Sequence, residues 1–198
     1  MIEIEQLNSF HRLATEAWHK GLTRAATDEF WAAIEDNHAN NFLLWHEEDI
    51  ARRQDIGDGR IVQAKRNIDS FNQARNNAME RMDDCILVEL ARGGRHGSHG
   101  GLHSETPGMM VDRLSIMALK EYHMAEQAIR LDVTENHRVK CAQRVVVLRE
   151  QQEDLSEALS VLLEDIRGGR RRFKIYRQFK MYNDPTLNPE LYDAKVRR

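Results

Sequence analysis

The stretch CAQRVVVLREQQEDLSEALSVLLEDI (residues 141–166) decides the fold class. Its row Cys141, Val145, Leu148, Gln152, Leu155, Leu159, Leu162 and Ile166 alternates spacings of four and three, the seam of a helix packed lengthwise on a partner helix. This helix opens near Thr134, a residue whose hydroxyl can cap it, and stops at Gly168-Gly169. Upstream, Thr106 as N-cap, Pro107 at the first helical position and Asp112 in the early turns start a fourth helix that runs to about Leu131. A first helix over about residues 3–20 places Ile4, Leu7, Phe10 or His11, Ala14 and Trp18 on one stripe. A second spans about Thr27 to Asp55 and a third about Gly59 to Arg92. The break Gly57-Asp58-Gly59 between these two reaches only an antiparallel neighbour.

The expected fold is therefore all-α, an antiparallel bundle of four or five long helices forming one domain over residues 1–198. Two segments stand apart from it. GGRHGSHGGLHS (93–104) has no apolar periodicity and is expected to be a mobile loop. Residues 168–198 form a basic and aromatic tail: seven cations from Arg167 to Lys180 lie among Phe173, Tyr176 and Phe179 without one acidic residue. The three-residue aromatic spacing suggests a short helix docked on the bundle with its cations solvated. Binding of nucleic acid or an acidic membrane surface is the less favoured use of that tail. The seam of the fifth helix is long enough to call for a second copy, so a homo-oligomer is expected.

Composition narrows the class further. With 198 residues, 41% of them hydrophobic, 31% charged and only 3 Pro, the chain can bury one sizeable core and lacks the turn formers of a many-stranded β protein. A net charge of −3 excludes a globally basic nucleic-acid binder. Cys85 and Cys141 lie inside helical stretches and read as reduced thiols. No run approaches the ~18 apolar residues of a membrane span, and the first residues (MIEIEQLNSFHRL) lack a basic flank and apolar core, so a soluble, cytoplasmic protein is expected.

Function lies in what interrupts the apolar rows. On the third helix the seam reads Ile61, Lys65, Ile68, Asn72, Arg75, Met79, Met82, Ile86 and Leu90, polar in its middle. On the second, Asn37, Asn41 and Glu48 interrupt one row and His38, Trp45, Asp49 and Arg52 mark the next. The fourth carries Asp112 and His123 on one row, and Arg113 and Lys120 on another face. An unpaired buried charge costs several kcal/mol, so these groups must pair, meet water or meet a ligand. The candidate ligand-binding set is Asn41, Trp45, His46, Glu48, Asp49, Arg52, Lys65, Asp69, Asn72, Arg75, Thr106, Asp112, Arg113, Lys120 and His123. Its acids Glu48, Asp49, Asp69 and Asp112 face five cations, a nominal excess of one positive charge. Two readings stay open: an ion-pair network that fixes helix register, or a polar pocket between helices. Asn41, Glu48, Lys65, Asn72, Arg75 and Asp112 are expected to converge.

The strings HANNFLLWHEEDIARR (38–53), KRNIDSFNQARNNAMERMD (65–83), SETPGMMVDRLSIMALKEYHM (104–124) and YRQFKMYNDPTLNP (176–189) resemble the bacterial domain of unknown function family 4254 over most of the chain. Shorter pieces, NxxLWxxED at Asn41 to Asp49 and TPGxxxDRLSI at Thr106 to Ile116, are similar to domain of unknown function family 6165, where they stand in the opposite order. The resemblance implies a loose association with genes for surface polysaccharide assembly and assigns no catalytic residues.

Other constellations carry less. Glu16 with His19 and Glu35 with His38 share the E-x-x-H spacing of di-iron bundles, but they fall on consecutive helices and lack the two extra glutamates. His96, His99 and His103 read as incidental loop histidines among glycines. No P-loop, G-x-G-x-x-G, C-x-x-C or nucleophile elbow occurs. No metal and no cofactor are expected. The favoured function is a binding or accessory protein for a small anionic ligand, phosphorylated or sugar-nucleotide-like. An enzyme using Asp49, Asp112 or Glu48 as general base with His46 or His123 as proton shuttle is the alternative, and a purely structural interaction protein is the third class.

Overall fold

A computed structural model describes residues 2–93, 100–178, 181 and 184–191. Five long helices carry it: α1 (Ile4–Trp18), α2 (Glu29–Ala51), α3 (Asp58–Arg92), α4 (Pro107–Ile129) and α5 (Glu135–Arg167). The starts follow from capping chemistry. The Asp28 carboxylate accepts from the Trp31 amide at 2.9 Å, Thr106 from Met109 and Thr134 from His137, each satisfying an amide that the first helical turn leaves without a partner. The expected helices all form, with ends displaced by a few residues, most at the C-terminus of α2, which stops at Ala51.

α2 and α3 pack as the antiparallel hairpin that the short break demanded, and α5 runs back along α4. α4 sits at the centre, touching α1, α2, α3 and α5. Its first half is buried over most of its circumference, Met110, Val111, Asp112, Leu114, Ser115, Ala118 and Leu119 included, with Arg113 exposed, which explains why its apolar pattern is broad rather than a stripe. Leu7, Ile34, Met82, Leu114 and Leu159 are fully buried and tie four of the helices together with α5. Along the seam of α5, Cys141, Val145, Leu155, Leu159, Leu162 and Ile166 are buried within the chain, while Leu148 and Gln152 are half-buried. Among the described residues no helix is long and apolar enough to cross a membrane.

The entry of α4 depends on a glycine. A Cβ on Gly108 would lie 2.5 Å from the Met79 carbonyl oxygen and 3.0 Å from the Asp83 carboxylate, a separation that only Gly permits. The Gly108 amide donates to Asp83 Oδ1 at 2.7 Å. Burial pushes the Asp83 carboxyl up to about 6, against the lowering effect of its hydrogen bonds from Thr106 and Gly108.

Two expectations about the non-helical segments change in their described part. His96 and His99 lie outside the described residues, but Gly100 to His103 are paired: β1 (Gly101–Leu102) runs parallel to β2 (Arg171–Arg172). The His103 amide donates to the Arg172 carbonyl at 2.8 Å, and backbone pairing overrides what the glycine content suggests. The tail is not a docked helix either. From Phe173 to Gln178 it has no regular secondary structure; Phe173 is buried in the main core while Tyr176 is exposed, and Phe179 and Lys180 lie outside the described residues. Two of its cations form ion pairs, Arg170 with Asp165 and Arg177 with Glu80 and Asp84. Burial alternates from Phe173 to Tyr176, a pattern of period two that an aromatic spacing of three does not announce.

Candidate functional site

Between α2, α3 and α4 lies an open cleft of about 450 Å³ lined by Asn41, Leu44, Trp45, Glu48, Asp49, Arg52, Asn72, Arg75, Ile116 and Leu119. Seven of these are sequence-predicted site residues, brought together because the polar positions of the α2 and α3 seams face each other across the hairpin. Below the cleft sits the eighth, Asp112, whose carboxylate is buried. Arg75 grips it with two donors, Nε to Oδ1 at 2.7 Å and Nη2 to Oδ2. Asn37 and Asn41 each donate an Nδ2 hydrogen to Oδ1 at 2.9 Å. Four hydrogen bonds and a guanidinium compensate the desolvation of one carboxylate, the condition under which a charge survives burial.

Behind Asp112 the polar interior continues as a directed chain. Thr15 Oγ1 donates to the His11 carbonyl at 2.8 Å, so its lone pair must accept from His38 Nε2 at 3.0 Å. That fixes the His38 proton on Nε2 and leaves Nδ1 to accept from the Ser115 hydroxyl at 2.8 Å, while Ser115 accepts from Asn41 at 3.0 Å. Burial lowers His38 to about 3, and burial together with His38 drives His11 well below its usual range. The two rings stand 4.7 Å apart between centroids, and both His11 ring nitrogens are buried with no partner among the described residues. Two neutral imidazoles in contact avoid the repulsion that two imidazolium ions would meet there. Ser115 and His38 have nucleophile and base chemistry, yet both are fully buried. They hold α1, α2 and α4 in register and present nothing to a substrate.

Several predicted residues fall elsewhere. Lys65 pairs with Asp69 on the exposed face of α3, because fully buried Ala64 takes the inward place beside it. Arg113 pairs with exposed-side Glu105, and with Lys120 it lines a separate groove of about 740 Å³ against α5. Thr106 is the cap of α4 beside Asp83 and never reaches the cleft. His46 and His123 turn away from it and meet His19. With Lys65, Arg113 and Lys120 removed, Glu48, Asp49 and Asp112 outnumber Arg52 and Arg75, so the expected positive excess becomes a net charge of −1. The E-x-x-H pairs also disperse: Glu16 pairs with Arg12, and Glu35 accepts the Ala25 and Ala26 amides.

What remains open in the cleft is limited. Arg52 pairs with Glu48 at 2.9 Å, whereas the Asp49 carboxylate has no hydrogen-bond or ion-pair partner among the described residues. Arg75 uses Nε and Nη2 on Asp112, and its Nη1 has no protein partner among the described residues. Sequence reasoning left out Asn37, Ser115, His38, Thr15 and His11, which extend the site inward; only the polar interruption at Asn37 and His38 of α2 signalled them.

No curated protein and no solved structure matches the chain. The model of the family described as "Protein of unknown function (DUF4254)" matches residues 31–175, which include all but the first two residues of α2, the whole of α3, α4 and α5, and every residue that lines the cleft. The chain belongs to that family.

Proposed function

We propose that this chain is a binding or accessory protein that holds a small phosphorylated ligand of the sugar-phosphate or sugar-nucleotide class in the α2–α3–α4 cleft. The observation that supports it best is Arg75: a guanidinium oriented by a buried carboxylate and still carrying an unpartnered Nη1 on the wall of an open cleft. Such a fork offers directed hydrogen bonds to one phosphate group without reorganising on binding. Net charge −1 disfavours a polyanion, but the carboxylates of Glu48 and Asp49 are acceptors suited to sugar hydroxyls. Leu44, Trp45, Ile116 and Leu119 add the apolar wall that small-molecule sites share. A setting in surface polysaccharide assembly is compatible with a ligand of this class.

An enzymatic reading has one observation behind it, the unpartnered Asp49 on the cleft, a general base in reach of a bound hydroxyl. Asp112 is saturated by four donors and Glu48 is engaged by Arg52, so neither serves as base. The test is a thermal melt with inorganic phosphate, a hexose 1-phosphate and UDP-glucose. At 100-fold excess over Kd a ligand stabilises by about 2.7 kcal/mol, a rise of about 5–10 °C for a chain of this size. The rise is expected with a sugar phosphate or sugar nucleotide, and it disappears in Arg75→Lys. Absence of any rise in the parent protein, with all three compounds, would leave the ion pairs as a purely structural network.

A further inference from the structure

His19 at the C-terminus of α1, His46 on α2 and His123 on α4 converge at the end of the bundle beside Trp45. Their ligand atoms all lie within 4.8 Å of one another. The ring planes are close to mutually perpendicular, at 84° for His19 and His46, 70° for His19 and His123, and 87° for His46 and His123. The rings therefore do not stack on each other; each is held by an aromatic neighbour instead. Tyr122 stacks on His19 with centroids 4.4 Å apart, Trp45 on His123 at 4.7 Å, and Phe42 meets His46 edge-on at 4.5 Å.

Hydrogen bonding settles which nitrogens are free. His19 Nδ1 lies 2.7 Å from the Thr15 carbonyl oxygen, which can only accept, so Nδ1 carries the proton and Nε2 of the neutral ring carries the lone pair. His123 Nδ1 donates to Glu126 Oε2 at 2.9 Å by the same logic. That places the His123 lone pair on Nε2, an atom that is buried and has no partner among the described residues. A carbonyl behind one imidazole and a carboxylate behind another is the outer shell that orients metal-ligating histidines.

We propose that His19, His46 and His123 bind one divalent transition-metal ion, Zn²⁺ in the first instance, through three neutral imidazoles. Three nitrogen ligands with no thiolate suit a borderline cation that forms Zn–N bonds of about 2.0–2.1 Å. Burial, reinforced by the other two rings, favours the uncharged form of His46, and burial does the same for His123. Three protein ligands leave a fourth position open, as sites that hold a water or substrate do. The ion would join three separate helices, which is why no motif spacing announces it in the sequence. The assignment does not depend on what fills the neighbouring cleft.

The test uses the full chain, dialysed against chelator and titrated with Zn²⁺ alone by calorimetry and with Co²⁺ alone by visible absorption. One ion per chain is expected, with d–d bands on Co²⁺ binding. His46→Ala and His123→Ala are each expected to abolish stoichiometric binding, whereas His96→Ala/His99→Ala/His103→Ala leaves it unchanged. Should the cluster variants fail to fold, Glu126→Gln on an exposed side chain carries the test, with Zn²⁺ affinity reduced about 10–100-fold. Lack of Zn²⁺ binding by the parent chain, unaltered affinity in a folded His46→Ala or in Glu126→Gln, or loss of binding in the loop variant would each overturn the proposal.

Discussion

Arg75 on α3 and Asp112 on α4 form a two-point ion pair in which the carboxylate is 4% exposed and the guanidinium 25%, so the acid is locked inside while the base keeps an edge at the cleft. That asymmetry makes one interaction serve both fold and site: the interior orients the arginine, and the arginine neutralises the interior.

Truncation of the two halves of the basic inventory should therefore differ. Arg75→Ala strands a buried carboxylate that keeps only its two asparagine donors, a loss of about 3–5 kcal/mol. Arg172→Ala removes one hydrogen bond to the Gly100 carbonyl and should lower stability by about 1 kcal/mol. Urea unfolding of both variants at one salt concentration compares them; a larger loss for Arg172→Ala would place the fold's dependence in the tail.

The cleft could be read from the sequence because polar residues in apolar rows are conspicuous: Asn41, Asn72, Arg75 and Asp112 stood out against Leu44, Met79 and Ile116. Lys65, Arg113 and Lys120 were misplaced because periodicity assigns a residue to a face without saying which helix that face meets. At Lys65 the neighbouring Ala64 is the inward residue, a shift of one position that helical period alone does not resolve. The interior chain through Ser115, His38 and Thr15 depends on three helices meeting, as does the histidine cluster, and neither leaves a spacing to find. The β1–β2 pair was hidden by composition, since a glycine-rich stretch looks mobile until a second strand is known to lie beside it.

Acid should unfold the chain through its buried histidines. His38 stays neutral in the fold down to about 3 while the unfolded chain takes up a proton near the ordinary 6.5, so stability is complete above that value and falls between the two, by about 1.4 kcal/mol per pH unit. His11 acts in the same direction. Asp83 opposes them: its folded value of about 6 exceeds the ordinary 3.8, the folded chain gains its proton first, and stability rises as pH falls through that window. His38→Asn should flatten, and Asp83→Asn should steepen, the loss of stability between about pH 6 and pH 5 in urea titrations. Equal slopes in all three proteins would contradict this assignment.

Glycine substitutions should separate close approach from flexibility. Gly108→Ala forces α4 away from the Met79 carbonyl and should destabilise by about 1–3 kcal/mol. Gly59→Ala, in the first turn of α3 with nothing within 4 Å of the new methyl, should be neutral or stabilising by up to about 1 kcal/mol. Melting temperatures of the two variants decide it, and a tolerated Gly108→Ala would mean that α3 and α4 are not in the contact described.

The central claim is that Arg75 is an anchor for a phosphorylated ligand and more than a strut. The most direct measurement is calorimetric titration of UDP-glucose and a hexose 1-phosphate into the parent protein and into folded Arg75→Lys, which keeps the charge and loses the fork. One site per chain is expected in the parent for at least one of the two, with an affinity at least about tenfold weaker in Arg75→Lys, the equivalent of about 1.4 kcal/mol. Equal affinity in both proteins, or no heat from either compound with the parent, would contradict it.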